Sequence, residues 1–309
     1  MIKRTLCFSN PAYLSLKDEQ LVIKLPEVEK NDLPESFKQA AVRTIPIEDI
    51  GVILLDNKQI TLTQALLENL LSNNCAVVTC DSAHLPTGLM MPLESNMVQR
   101  ERFHEQIAAS LPLKKQLWQQ TVKAKIENQA AVLQQYTQIE VGNMQKWADS
   151  VKSGDSGNLE ARAAVYYWAN IFPQLPHFTR DREGDYPNNL LNYGYAILRA
   201  IVARALVATG LLPTFGIHHR NRYNAYCLAD DVMEPYRPYV DEMVLKMVPR
   251  YLQQDELTQE MKVELLQIPV LDVQIAEKRS PLMIAVAATV VSLYKCYSGE
   301  CRKIVYPQF

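Results

Sequence analysis

The residues best suited to chemistry lie between Gly216 and Asp241. They read Gly216-Ile-His218-His219-Arg220, then Asp230-Asp231-Val-Met-Glu234-Pro-Tyr-Arg237-Pro-Tyr-Val-Asp241. Histidine is rare, with five in 309 residues, and two of the five are adjacent here. A carboxylate, Glu234, follows fifteen positions after His219. Asp231 and Glu234 are three apart, so a helix would set both on one face. Pro235 would kink or start that helix, which is a weak signal of a specified geometry. Another acid stands at Glu160, in Gly157-Asn-Leu-Glu160-Ala-Arg-Ala-Ala-Val-Tyr-Tyr-Trp168. Gly154 and Gly157 mark a loop, and Asn158 is the candidate cap. Glu160 then falls in a first helical turn, where the macrodipole favours a carboxylate. The helix is aromatic and alanine-rich, so its acid needs a partner. Two readings stay open: an ion pair with Arg162, Arg199 or Arg204, or a bound cation. One imidazole with two carboxylates suits Mg²⁺ or Mn²⁺. Such an ion polarises a phosphodiester and offsets the charge that builds during in-line displacement.

The elements that must position these residues fall into two regions. Up to about residue 91, short β-rich runs appear at 5–8, 21–25, 44–47, 52–55 and 76–79, separated by Pro, Asn, Asp and Glu. One helix fits among them, from Thr61 to Leu71, with a Thr as cap and leucines as its buried stripe. The polar segment Pro26–Ala41 reads as a loop or insertion. From residue 92 the pattern is helical: 96–110, then 113 to about 141 with Trp118, Val122, Ile126, Ala130 and Leu133 on one stripe, then 189–209 closed by Gly210. Ser280-Pro281 reads as the cap and first turn of a last helix. The expected fold is α+β, with a small mostly-β domain over 1–91 and a larger all-helical domain over 92–309.

Composition sets limits. Apolar residues make up 48% and charged residues 21%, with a net charge of −2. That excludes extended disorder and a strongly basic protein, but not a basic face. Between Asn96 and Lys125 stand six basic residues and two acids. This strip reads as a solvated helical face or as a phosphate-contacting surface. Glycine is scarce, and neither phosphate-loop pattern occurs. The six cysteines form no C-x-x-C pair; Cys296 and Cys301 would be about 140° apart on a helix. Free thiols in a reducing cytosol are expected. The longest apolar stretch, 282–293, is too short to span a bilayer, and no leader is evident, so a cytoplasmic location is expected.

These residues resemble the CRISPR-associated spacer-acquisition integrase family, the larger of two near-universal adaptation proteins (Cas one). The resemblance rests on several runs in order: Gly157 to Trp168 around Glu160; Asn188-Asn-Leu-Leu-Asn192-Tyr193-Gly194-Tyr195; Gly216 to His219; and Asp231 to Asp241. Cys80-Asp81 followed by Leu85-Pro86-Thr87 is also similar to the family, and the match covers nearly the whole chain. The run Arg220 to Asn224 looks most like members from type II systems. The resemblance implies that Glu160, His219 and Glu234 are catalytic and hold Mg²⁺ or Mn²⁺. It gives Asp231, Arg237 and Arg220 supporting roles. Arg237 is expected to pair with an acid, and His218 to pack. Cys227 stands where relatives often carry Asn. The implied reaction is DNA transesterification: the 3′-hydroxyl of a captured fragment attacks a repeat phosphodiester and inserts a spacer, with associated endonuclease activity. The implied partners are double-stranded DNA, a second copy of the chain and a small adaptation protein (Cas two) in a heterohexamer, in a prokaryotic cytoplasm and not at a membrane.

Three alternatives remain beside it. One is a stand-alone metal-dependent repair nuclease using the same residues. Another is a non-catalytic DNA scaffold. A third arises because Asp230-Asp231-x-x-Glu234 resembles the magnesium motif of helical prenyl-diphosphate enzymes, although a second acidic motif is missing.

Overall fold

The computed structural model describes residues 3–31, 34–82, 84–252, 254 and 256–309. The chain divides into two compact units, Met1–Ser95 and Asn96–Phe309. The fold is α+β, strand-rich in the first unit and helical in the second.

In the first unit, β1 (Arg4–Phe8), β5 (Ile50–Leu55), β7 (Ala76–Cys80) and β8 (Pro86–Met90) form one four-stranded sheet in that order. β1, β5 and β7 run parallel. β5 is buried from Ile50 to Leu54, the continuous apolar run expected of a central parallel strand. A second sheet has the order β4 (Arg43–Pro46), β3 (Gln20–Lys24), β2 (Ala12–Lys17), β6 (Ile60–Leu62). Leu14 and Leu21 from this sheet, Ile53 and Val77 from the other, and Leu66 and Leu70 from helix α3 (Gln64–Ser72) share one core. Thr63 caps α3, accepting from the Leu66 amide. The segment read as a loop folds instead into two short helices, α1 (Pro26–Lys30) and α2 (Glu35–Ala41). Pro26 opens α1 and Glu27 and Glu29 fill its first turn, which complements the dipole at that end.

In the second unit, α4 (Gln99–Ala108) precedes the 26-residue α5 (Leu111–Tyr136), capped by Ser110. The predicted stripe of α5 is buried: Trp118, Val122, Ile126, Ala130 and Leu133. The helix stops at Tyr136, and Gly142–Ser150 is a separate helix, α6. α7 (Leu159–Asn170), α8 (Asn188–Ala208), α9 (Cys227–Met233), α10 (Arg237–Tyr251), α11 (Gln259–Leu265) and α12 (Leu282–Tyr297) complete the helical set. α8 is long and apolar enough to cross a membrane, yet 72% of its most apolar window is buried inside the unit. Gly210 ends it at φ +75°, and the Leu211 amide reaches back to the Leu206 carbonyl. Ser280 does not cap α12, and Pro281 stands at the N-cap position rather than in the first turn. They form β10 (Lys278–Pro281), paired with β9 (Asp272–Ile275), so the helical unit carries one hairpin. Cys301 lies beyond α12, and a turn at Gly299 folds it back until its Sγ is 3.4 Å from that of Cys296. The thiols are free, but the helical angle between them does not apply.

Candidate active site

Three stretches of the second unit converge on α5. Glu160 is the second residue of α7. Asn158 does not cap that helix: it adopts a left-handed backbone and its side chain makes no cap bond. Asp155 takes the role, accepting from the amides of Leu159 at 2.9 Å and Glu160 at 3.0 Å. The glutamate is thereby fixed at a capped helix start. Its partner is none of the three predicted arginines. Lys125 of α5 donates to its Oε1 at 2.7 Å. Arg199 instead pairs with Asp230, and Arg162 lies over the Trp147 ring.

Glu234 occupies the joint between α9 and α10, where Glu234–Tyr236 makes a single tight turn around Pro235. Asn128 of α5 fastens this joint by donating to the Pro235 carbonyl at 2.8 Å. The glutamate is 4% exposed. Its Oε1 lies 3.0 Å from Arg237 and its Oε2 lies 2.6 Å from Lys125. The second contact is a close ion pair whose alignment falls outside ordinary hydrogen-bond geometry. Two carboxylates thus meet at one ammonium group. Burial opposes the charged form of Lys125, but Glu234 and Glu160 more than offset it and its pKa is raised. Burial likewise opposes ionisation of Glu234, and Arg237 and Lys125 reverse that, leaving its pKa lowered. Both groups are ionised at neutral pH.

His219 sits on the loop between α8 and α9. Asp231, fully buried, holds it through Nδ1 at 2.5 Å. The same carboxylate accepts from the backbone amides of His218 and His219. With Asp231 as acceptor, the proton belongs on Nδ1 and the Nε2 lone pair is left available as a ligand or base. The Asp231 hydrogen bond raises the His219 pKa against burial, and the charges of Glu234 and Glu160 add to the rise. Asp231 and Glu234 therefore serve the same site from opposite sides: one orients the imidazole, the other faces the ammonium. His218 stacks flat on the buried Trp118, with ring centroids 4.3 Å apart. Cys227 donates through Sγ to the Asn224 carbonyl. Arg220 lines a cleft of about 310 Å³ with Lys114, His219 and Arg222. Burial and then the charge of Arg220 lower the Lys114 pKa, so this cleft is short of negative charge.

Asp230 is bound by Arg199 at 2.7 Å and Asn224 at 2.7 Å, and Asp231 by the histidine loop. Both carboxylates are buried and engaged within the fold, which counts against the prenyl-enzyme alternative. The sequence reading missed Lys125, Asp155 and Asn128. Lys125 could have been found, since it falls seven residues after Trp118 on the apolar stripe of α5, where an uncompensated charge would be costly.

No three His, Cys, Asp or Glu side chains among the described residues already stand in metal-binding geometry. The donor chemistry nevertheless fits a divalent cation. Two carboxylates, Glu234 buried and Glu160 half-buried, already face one cationic atom, the Oε2 of Glu234 has no aligned hydrogen bond, and a tautomer-fixed imidazole stands beside them.

Residues 6–267 match the family model described as CRISPR associated protein Cas1. The chain is 37% identical over 267 residues to a CRISPR-associated endonuclease Cas1 of Neisseria meningitidis, covering 86% of this chain and 83% of that protein. It is 28% identical over 218 residues to a protein of the same description from Pyrobaculum aerophilum, covering 66% and 73%. Among solved structures, a casposase bound to its integration product shares the fold with a TM-score of 0.77 at 20% identity, covering 98% and 92%. A Cas1 protein from Thermotoga maritima gives 0.74 at 16% identity, covering 96% and 97%. With the match running from the first strand of one unit through α11 of the other, and with the Glu160, His219 and Glu234 runs inside it, the chain belongs to the Cas1 family of CRISPR-associated proteins.

Proposed function

We propose that this chain is a CRISPR adaptation integrase that joins DNA by metal-dependent transesterification, with endonuclease activity on DNA. The observation that carries this reading is the meeting of Glu160 and Glu234 on one cationic atom, at 2.7 and 2.6 Å, beside a histidine locked by Asp231. The curated relative from Neisseria is named an endonuclease, which agrees with it.

Glu160, Glu234 and the Nε2 of His219 would hold Mg²⁺ or Mn²⁺. When bound, that ion polarises the scissile phosphodiester and offsets its growing negative charge. Asp231 fixes the imidazole, and Arg237 balances Glu234 from the far side. Lys114 and Arg220 offer the adjoining cleft two cations for the backbone of an incoming strand. In the reaction a 3′-hydroxyl would form a new P–O bond as the P–O bond to the repeat strand's 3′-oxygen breaks, and the proton lost by the attacking hydroxyl is replaced on the leaving oxygen, which departs as a new 3′-hydroxyl. One phosphodiester replaces another, so no nucleotide cofactor is required.

The partners proposed are double-stranded DNA, a second copy of the chain joined through the β-rich unit, and a small Cas2 protein in a heterohexamer, all in a prokaryotic cytoplasm. One solved neighbour sharing the fold is described as a Cas6-RT-Cas1–Cas2 complex, which agrees with such a partner. The test mixes the protein with supercoiled repeat plasmid and short 3′-hydroxyl duplexes, with and without the Cas2 protein. Partner-dependent, divalent-dependent insertion at repeat edges is expected, and Glu160→Gln should abolish it while DNA binding persists. Cleavage of branched DNA that ignores both partner and repeat would favour a repair nuclease.

A further inference from the structure

Among the described residues, Lys125 is the one basic side chain that touches both acids of the site, and it lies outside the runs that resemble the family. It projects from the buried stripe of α5 and is 9% exposed. Its ammonium stands 2.7 Å from Glu160 and 2.6 Å from Glu234. With Arg237 on the other oxygen of Glu234, the cluster already balances two negative charges with two positive ones. A divalent cation gripped by the same two carboxylates would lie within a few ångströms of Nζ. Like charges at that separation repel strongly in a buried site. The ammonium and the divalent ion are therefore alternative occupants of one position.

We propose that Lys125 is a displaceable internal counter-cation: it holds Glu160 and Glu234 at ligating separation, and a divalent ion binds only by driving its ammonium away from them. This rests on the metal-site reading above. Lys125 is a positioning residue here. It presets the two acids, and it sets how much divalent ion is needed to load the site. Its long flexible side chain can withdraw without moving α5, whereas the shorter acids are fixed by the Asp155 cap and by the Asn128 clasp.

Two measurements on the full-length protein test it, neither depending on turnover. Free Mn²⁺ is followed by paramagnetic resonance as protein is added, for the unaltered chain, Lys125→Met and Lys123→Met. Lys123 is on the same helix but pairs with Asp149 and Glu127, so it controls for a change of charge alone. Lys125→Met should bind Mn²⁺ about tenfold or more tightly, and Lys123→Met far less so. In the unaltered chain, acetic anhydride labelling of Lys125, read by mass spectrometry, should rise several-fold when Mn²⁺ is added. Labelling decides the matter even where Lys125→Met fails to fold. Equal Mn²⁺ affinity in all three proteins, or a Lys125 that stays protected with Mn²⁺ bound, overturns the counter-cation and leaves the metal site standing. Absence of Mn²⁺ binding by every protein, with Lys125 labelling unchanged, overturns both.

Discussion

His219 takes its chemical character from Asp231. Its pKa is raised above the ordinary 6.5, first by the hydrogen bond to that carboxylate. An imidazole binds a cation only when Nε2 carries no proton, so divalent-dependent activity should climb with pH through a midpoint above 6.5. Asp231→Asn should cost about 10–100-fold in activity and lower that midpoint; an unmoved midpoint would deny Asp231 its role. Asp241 makes a second titration, one of stability. Burial pushes its carboxyl from 3.8 up to about 7, although the hydroxyls of Tyr195 and Tyr167 donate to it. The folded chain therefore keeps a proton that the unfolded chain releases, and stability declines as pH rises from about 4 to 7. Asp241→Asn should flatten that decline in thermal unfolding; identical slopes would count against the shift. At this scale the sequence was informative where chemistry is rare, as at the paired histidines and the acids around Pro235. It was silent where a common residue acts through tertiary placement. Lysine is usually solvated, so the one mark on Lys125 is its place on the apolar stripe of α5, and its two acidic partners come from distant stretches of chain. Asp155 outcompetes Asn158 as cap because the chain at Asn158 turns left-handed.

α5 is the element on which the site is assembled. Trp118 anchors His218, Lys125 meets both acids and Asn128 clasps the α9–α10 joint. Trp118→Ala should cost about 3–5 kcal/mol of stability by denaturant unfolding, from lost burial and the cavity left. The histidine loop is equally tight. A Cβ at Gly216 would lie 2.5 Å from the His219 carbonyl and 2.7 Å from Asp231 Oδ2. Gly216→Ala should therefore impair activity more than stability, since the atoms it displaces belong to the His219–Asp231 pair. Wild-type strand transfer by that variant would contradict the placement of the loop. The long helices were legible because their apolar spacing is sustained. Of the strands the sequence did not signal, β2, β9 and β10 share a cause: the hairpins β2–β3 and β9–β10 turn through Asp18-Glu19 and Ala276-Glu277, all at positive φ. Such turns ordinarily use Asn-Gly or Asp-Gly, so these carry no local signal. Ser280-Pro281 misled for the same reason, being the end of a strand whose partner the turn concealed.

Over the whole molecule, a net charge of −2 leaves little general attraction to DNA. The basic strip seen in the sequence is partly consumed inside the fold. Lys125 is buried with two acids, Lys123 pairs with Asp149, and Arg102 donates to the Thr209 carbonyl from over the Tyr294 ring. Lys114 remains in the cleft with Arg220. Affinity for a duplex should thus fall steeply with salt, and Lys114→Ala and Arg220→Ala should each reduce the salt slope by about one. A slope unchanged by both would remove the cleft from the DNA path. In the proposed site Glu160, Glu234 and His219 together grip one divalent cation that drives DNA strand transfer. Anomalous scattering from crystals grown with Mn²⁺ tests it most directly. One peak bonded to all three side chains is expected, with the Lys125 ammonium withdrawn. A peak elsewhere, or none under conditions that support strand transfer, would contradict it.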